Sequence, residues 1–370
     1  MVVVVADRTA SLAKVPCGEP GDGEEEEEEE PQQQQQDEEV TRPGMALFAA
    51  GFNPWNQLSL GRDTDSGRES DDLFSFAKVL EGRSIRSPVA RLTYTLVRRD
   101  NAWVRAGVGL SDDYGDDALE TSCACAKAGN GEILVVCDDG DGDDNPAGSG
   151  AFGGGVTQKS KVLAKYASRR AFDTQTRQAS WRSKSPVKAV AAYDAGFVIL
   201  YHDGTVATLG DARFQDCLGR ETTRDSPSDE PGIVPDLADL GEPIKHVSAG
   251  GYTLVALTES GNIYAWGTPT SGTHRRGQAL HGLGGIPNYV EVDGGKDVLD
   301  VALGDSHAIA LTTDGSVYVV GNNSNGQLGL GREVELAHSW TKLSFPSGHE
   351  IAGVAAGPRS SFILTARLPP

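Results

Sequence analysis

Residues 303–331 read LGDSHAIALTTDGSVYVVGNNSNGQLGLG: an apolar segment, an Asp-Gly turn, a second apolar segment and a glycine-rich close. Both apolar segments are rich in Val, Ile, Leu and Ala, which suits strands buried on both faces. The dipeptide Asp314-Gly315 tolerates the positive φ angles of a tight hairpin, whose twist matches two paired antiparallel strands. The stretch therefore predicts a β-hairpin followed by a loop with sharp turns.

The same order of features recurs along the chain. Residues 247–267 and 190–210 are the best further copies, and residues 90–107 are a degenerate copy that keeps the spacing from turn to terminal glycine. A repeat of about 50 residues built from short strands is typical of a propeller blade and not of a helical solenoid. The sequence therefore predicts an all-β propeller. Its hairpin turns lie at Asp100-Asn101, Asp203-Gly204, Ser260-Gly261 and Asp314-Gly315, with a poorer candidate at Asn130-Gly131.

The two ends of the chain are parts of one repeat. Residues 46–62 (ALFAAGFNPWNQLSLGR) match residues 316–332 (SVYVVGNNSNGQLGLGR), whereas the last repeat stops midway at residues 354–366. An open stack of repeats gives no reason for this division, but in a ring the first segment completes the last unit. We therefore expect the N-terminal strand to complete the C-terminal blade.

Residues 303–331 resemble the repeat of the regulator of chromosome condensation family. The resemblance rests on His307, the Asp-Gly turn, the aromatic-containing strand and the Gly-Gln-Leu-Gly close, which follow one another in the family's order. The family's propellers usually have seven blades, so the resemblance implies seven, with a degenerate blade around residues 162–181. A count by hairpin turns, with the shared closing unit, gives six. His307 itself is expected in the core, because it lies in an apolar strand, and Thr253 and Ser360 replace it in the matching copies.

Composition divides the chain into a tail and a domain. The formal net charge is −20, and residues 1–44 hold 13 acidic and 3 basic residues, including Glu24–Glu30. Such a low-complexity segment buries too little apolar surface to offset its ordering entropy, so we expect an acidic, Gln-rich disordered tail over residues 1–44. Residues 45–370 are expected to form a single propeller domain with a disordered insert around 138–155. Met45 opens the first repeat segment, so both Met1 and Met45 are candidate starts.

Several classes of function lack support in the sequence. The seven histidines are scattered, and we find no catalytic constellation, metal-ligand spacing or phosphate-binding glycine loop. The acidic run 138–145 lacks the glycine and the acidic twelfth residue of a calcium loop. Five irregularly spaced cysteines do not suggest a disulfide framework, and no run of about 20 apolar residues predicts a membrane span. We expect a protein without enzyme activity, cofactor or metal, in the cytoplasm or the nucleus.

Three groups of residues are candidates for partner binding. Trp55 replaces a polar residue of the family's close, and an exposed aromatic there would serve as an anchor, whereas packing on a neighbouring blade is the alternative. A basic triplet lies in an inter-strand loop, and residues 158–188 hold nine basic residues and one acidic residue. The candidates are Trp55, Asn56, His274, Arg275, Arg276, Lys159, Lys161, Arg169 and Arg170.

We expect these residues to hold a protein partner, because a propeller presents variable loops on a rigid ring and needs no catalytic group for binding. The chain resembles the short alpha-tubulin suppressor-like members, which implies an adaptor or regulatory subunit in diphthamide and tRNA-modification pathways. The alternative from the resemblance is a guanine nucleotide exchange factor for a small nuclear GTPase, or a chromatin-associated regulator. Specific nucleic-acid binding through residues 158–188 is disfavoured, and a monomer is expected.

Overall fold

The regular structure of the described residues is almost entirely β. The computed structural model describes residues 44–61, 71–109, 125–138, 161–183, 185–269, 279–345 and 349–367. The helices are α1 (Arg169–Asp173), α2 (Pro235–Ala238) and a 3-10 helix (Ala212–Leu218). The strands are β1 (Met45–Gly51), β2 (Leu73–Gly82), β3 (Val89–Ala90), β4 (Tyr94–Arg99), β5 (Ala102–Gly107), β6 (Cys125–Lys127), β7 (Ile133–Asp138), β8 (Lys161–Tyr166), β9 (Ala179–Arg182), β10 (Val187–Tyr193), β11 (Gly196–Tyr201), β12 (Val206–Gly210), β13 (Gly232–Ile233), β14 (Ile244–Gly250), β15 (Thr253–Thr258), β16 (Ile263–Gly267), β17 (Asn288–Val290), β18 (Val298–Leu303), β19 (His307–Thr312), β20 (Val317–Asn322), β21 (Leu336–Lys342), β22 (His349–Gly357) and β23 (Ser360–Arg367).

These strands form six antiparallel sheets, which are the blades of a propeller. From the innermost strand outward, blade 1 is β3-β4-β5, blade 2 is β6-β7-β8-β9, blade 3 is β10-β11-β12-β13, blade 4 is β14-β15-β16-β17 and blade 5 is β18-β19-β20-β21. Blade 6 has the order β22-β23-β1-β2. The all-β propeller is as predicted, but the prediction of seven blades is wrong: six are present in the described part of the chain.

Blade 2 explains the error in the blade count. The segment predicted to be a separate degenerate blade supplies β8 and β9, which are the third and fourth strands of blade 2. The predicted hairpin at Asn130-Gly131 does exist, but it joins the first strand of the blade to the second. The connection from the second strand to the third runs through residues 139–160, which lie outside the described residues. The long insertion within blade 2 therefore made this blade look long enough in the sequence to be two blades.

The blades pack on one another through apolar side chains on both faces of each sheet. In β15, Leu254 and Ala256 belong to the cluster shared with blade 3, whereas Val255 and Leu257 belong to the cluster shared with blade 5. All four side chains are fully buried. Strands that are apolar on both faces are expected where sheets are stacked between neighbouring sheets. The continuous apolar runs of the sequence therefore reflect packing between blades.

Blade 6 contains strands from both ends of the described fold. Strand β1 lies between β2 and β23, and its register with β23 runs without a shift from Met45↔Ala366 to Gly51↔Ser360. Leu47, Ala49 and Ala50 on β1 have no exposed surface. The N-terminal strand is therefore an interior strand of its sheet and part of the apolar core.

Candidate protein interaction surface

One end of the propeller carries the six turns that join the first strand of each blade to the second. We call this end the turn face. Asn130 donates its backbone N–H to the Asp194 carbonyl oxygen at 2.8 Å, and Asp194 donates to the Gly251 carbonyl oxygen at 2.8 Å. Asp305 donates to the Pro358 carbonyl oxygen at 3.0 Å. Backbone hydrogen bonds between neighbouring blades thus fix the turns, which comprise residues 91–93, 128–132, 194–195, 251–252, 304–306 and 358–359.

An open cavity of about 450 Å³ lies at the centre of the turn face, and all six blades contribute to its lining. Two carboxylates, Asp194 and Asp305, face two basic residues, Arg91 and Lys127, around this cavity. Both carboxyl groups have a raised pKa. Burial is the main cause for each, and the negative charge of Asp194 adds to it at Asp305, whose pKa rises to about 6. Raised carboxyl pKa values in a concave site are a general marker of functional residues.

The Asp305 carboxylate is expected to destabilise the fold at neutral pH. Its pKa is about 6 in the folded chain and about 4 in an unfolded chain, so the folded state disfavours the charged form. The destabilisation is present above pH 6 and disappears as pH falls below 4. We expect Asp305→Asn to raise the free energy of unfolding at pH 7.5 by up to about 3 kcal/mol, with a much smaller gain at pH 4.5, measured by urea denaturation.

Asp314 offers a matched control with the opposite sign. The Thr312 hydroxyl donates to Asp314 at 2.6 Å and the Lys296 ammonium lies at 3.0 Å, and these contacts lower the pKa of Asp314. Asp314→Asn should therefore destabilise the chain at pH 7.5. If Asp305→Asn lowered the free energy of unfolding at pH 7.5, this would contradict the claim that the Asp305 carboxylate destabilises the fold.

Trp55 lies on a loop of the turn face that a buried glutamine holds in place. Gln57 accepts a hydrogen bond from the Trp55 N–H at 3.0 Å and donates to the carbonyl oxygens of Phe52 at 2.9 Å and Leu92 at 3.0 Å. The bond to Leu92 ties blade 6 to blade 1. The Trp55 side chain is 38% exposed, and its ring meets Phe52 edge to face, with 5.4 Å between the centroids. Trp55 is thus a rigidly mounted, accessible aromatic, and the adjacent Asn56 is also exposed.

Aromatic and arginine side chains continue on both sides of the cavity. The Arg359 guanidinium lies over the Phe52 ring, 5.5 Å from its centroid. Across the ring of blades, Phe214 stacks on Tyr252 with 4.7 Å between centroids, and the Arg213 guanidinium lies 5.8 Å from the Phe214 centroid. Aromatic residues and arginine dominate binding energy at protein interfaces. The turn face therefore combines rigid anchors with a polar central cavity.

Comparisons with known proteins support the propeller and identify its repeats. Two models described as "Regulator of chromosome condensation (RCC1) repeat" match the chain, one at residues 244–273 and 298–327 and the other at residues 314–364. The chain carries regulator of chromosome condensation repeats. Among solved structures, human WBSCR16 has a TM-score of 0.55 at 16% identity over 88% of this chain and 99% of its own. Prp20p from Saccharomyces cerevisiae has a TM-score of 0.51 at 14% identity over 90% of this chain and 95% of its own.

Sequence relatives share the repeats over part of their length. The regulator of chromosome condensation of Xenopus laevis is 40% identical over 138 residues, which are 36% of this chain and 30% of the relative. The ultraviolet-B receptor UVR8 of Arabidopsis thaliana is 31% identical over 48% of this chain and 39% of its own length. Human E3 ubiquitin-protein ligase HERC2 is 30% identical over 49% of this chain, which spans 4% of that ligase. The chain thus spans well under half the length of these relatives.

The repeat structure places the predicted site residues in different regions. Trp55, Asn56 and the helix with Arg169 and Arg170 lie at the turn-face ends of their blades, whereas Lys161 begins β8 at the opposite end. Arg169 pairs with Asp173 at 2.7 Å, and Arg170 is exposed. The basic segment 158–188 is therefore not one surface, since its Lys165 is also buried and paired with Glu132 at 3.2 Å. Lys159, His274, Arg275 and Arg276 lie outside the described residues.

Other residues of the turn face were missed by sequence reasoning. Asp194 and Asp305 are 111 positions apart in the chain, and Phe214 and Tyr252 belong to different blades. A usable signal existed in the repeat alignment, because Asp194, Tyr252 and Asp305 all fall in the short turn before the second strand of a copy. His307 is in the core as predicted: it is fully buried, its Nε2 lies 3.2 Å from the Ser360 carbonyl oxygen, and burial lowers its pKa to about 4.

Metal binding and membrane insertion find no support in the described ranges. No group of three or more His, Cys, Asp or Glu side chains there is arranged to hold a metal ion. No helix among those residues has the length and apolar character needed to span a bilayer.

Proposed function

We propose that this chain is a non-enzymatic interaction propeller, an adaptor or regulatory subunit that holds a protein partner on its turn face. The observation that carries the proposal is Trp55, an exposed aromatic on a loop fixed by the buried Gln57. A rigid aromatic loses little conformational entropy on binding, which is why such residues are frequent binding hot spots.

The central cavity is a second reason to propose that the partner binds at the turn face. A cationic side chain of a partner would meet the Asp194 and Asp305 carboxylates, whose charge the free protein accommodates poorly. Groups that lower stability in the free protein often serve binding. Asp305→Asn should therefore weaken partner binding while it stabilises the fold.

The test compares alanine substitutions of two exposed aromatic residues, Trp55 and Tyr289. We expect Trp55→Ala to reduce partner recovery from cells about 30-fold, as for loss of a hot spot worth about 2 kcal/mol. Tyr289→Ala is the control, because Tyr289 is 51% exposed on β17 at the outer rim of blade 4. Quantitative proximity labelling with wild type and both variants measures the effect. Equal recovery with Trp55→Ala and wild type, at unchanged melting temperature, would contradict the proposal.

Nucleotide exchange is the competing activity. The Prp20p structure is described with binding to Gsp1p and histones, but its 14% identity supports the fold alone. A nucleotide-release assay with purified small GTPases separates the two functions, and accelerated release by this chain would replace the adaptor proposal. The narrower role as a subunit in diphthamide and tRNA-modification pathways is a special case of the adaptor proposal, and copurification with proteins of those pathways tests it.

A further inference from the structure

Blade 1 has an outer strand without a neighbour among the described residues. The other five blades have four strands, whereas blade 1 has the order β3-β4-β5 and ends at β5. The ladder between β4 and β5 runs from Tyr94↔Gly107 to Arg99↔Ala102 without a register shift. The open edge is thus a regular strand with none of the bulges that often protect sheet edges.

The direction of the backbone groups on β5 follows from two hydrogen bonds. Val108 donates its N–H to the Thr93 carbonyl oxygen at 2.9 Å, and Arg86 donates its N–H to the Arg98 carbonyl oxygen at 3.0 Å. Backbone groups of successive residues in a strand point to opposite sides, so every second residue of β5 faces β4. Residues 103, 105 and 107 therefore direct their N–H and C=O groups toward the open edge.

The side chains beside this edge are aromatic and basic. Trp103 is 37% exposed and lies opposite Arg98 in the register, with Arg105 exposed on the same face of the strand. Strands β4 and β5 hold three arginines and no acidic residue, in a chain of net charge −20. The edge thus offers positive charge and an aromatic surface beside backbone groups that have no strand partner among the described residues.

We propose that β5 is a docking edge for an extended acidic peptide of a partner protein, which adds to blade 1 as its fourth strand. Strand addition gains affinity from main-chain hydrogen bonds and specificity from alternate side chains. Glutamate at alternate positions would lie on the Trp103 and Arg105 face of the sheet, where its carboxylate faces Arg105 and its aliphatic stem packs on Trp103. This surface lies on the outer side of blade 1 and is separate from the turn face, so the two proposals fail independently.

The experiment uses the full chain and a fluorescein-labelled twelve-residue peptide that alternates glutamate with valine or threonine. Fluorescence anisotropy should show binding that weakens from 50 to 300 mM salt, whereas the same peptide with lysine for glutamate should not bind. We expect Arg105→Glu to weaken binding about tenfold or more. Lys342→Glu is the matched control, since Lys342 ends the outer strand of the four-stranded blade 5 and carries the same charge.

Peptide N-methylation separates strand addition from simple charge attraction. Two versions carry N-methyl groups on odd or on even residues, so that in a paired strand only one version loses the N–H groups that face β5. We expect one version to lose binding and the other to keep it. Equal binding of the two versions, no binding of the acidic peptide, or preferential binding of a twelve-nucleotide oligothymidylate would each overturn the proposal.

Discussion

Deletion of residues 45–61 is expected to destabilise the propeller and to cause aggregation. The deletion removes β1, which pairs with both β2 and β23, and it exposes the edge of β23 along its whole length. It also removes Leu47 and Leu58, which are buried between blades 6 and 1. Loss of each such side chain costs about 2–5 kcal/mol, so together they approach the total stability of an ordinary domain. Unpaired edges with apolar surface then promote association.

Size-exclusion chromatography and thermal melting of residues 62–370 and 45–370 measure this effect. Deletion of residues 1–44 alone is the control, because the pairing of β1 begins at Met45, and it should leave the melting temperature unchanged. Leu47→Asp is a milder variant that keeps the strand but places a charge in the core. If residues 62–370 melted at the same temperature as residues 45–370, blade 6 would not need β1 for its stability.

Gly321→Ala in blade 5 is expected to be strongly destabilising. Gly321 is the last residue but one of β20, the third strand of the blade, and its φ is near 106°, a conformation that residues with a Cβ rarely adopt. A Cβ there would clash with the Ser306 carbonyl oxygen and stand 2.8 Å from the His307 Cα. Because Asn322 donates its N–H to that same carbonyl oxygen at 2.9 Å, the turn cannot move away without breaking a bond. We expect a loss of more than about 4 kcal/mol in urea denaturation.

Gly315→Ala separates the clash from the backbone conformation. Gly315 also has a positive φ of 77°, but a Cβ there meets no atom within 4 Å. This hairpin variant should lose only about 1–2 kcal/mol, the ordinary cost of the left-handed conformation. Similar losses in the two variants would contradict the explanation that close approach of two backbones selects glycine at the end of the third strand.

Local signals made much of the fold predictable from the sequence. The hairpin at Asp314-Gly315 and the matching segment at residues 46–62 depend on short-range turn chemistry and on repetition, and both are visible in one chain. The blade count failed because sequence length cannot distinguish a degenerate blade from an insertion inside blade 2. That distinction depends on which strand β8 pairs with, and this is a tertiary property.

The candidate site was less predictable because its residues act in groups that the ring assembles. Trp55 stood out in the sequence because it replaces a polar residue of the repeat. Exposure of its side chain was one of the two expected outcomes, and packing on a neighbouring blade was the other. The pKa of Asp305 depends on burial and on Asp194, which comes from another blade, so no local pattern reports it. The sequence did not reveal how the basic segment is distributed, because Lys161 lies at one end of β8, Arg169 and Arg170 follow its other end, and Lys165 is buried.

Because blade 6 combines strands β1 and β2 with strands β22 and β23, it is the last blade that can form while the chain is synthesised. Strand β1 leaves the exit tunnel before the other described strands, but its Ala46 carbonyl oxygen accepts a hydrogen bond from the hydroxyl of Thr365, 319 residues later in the chain. Contacts of such long sequence separation form slowly, because a large loop must close before they gain any energy. Until β23 has been synthesised, the apolar strand β1 therefore has β2 on one side and no paired strand on the other. The nascent chain is most prone to association in that interval, and a chaperone would have the most to protect there.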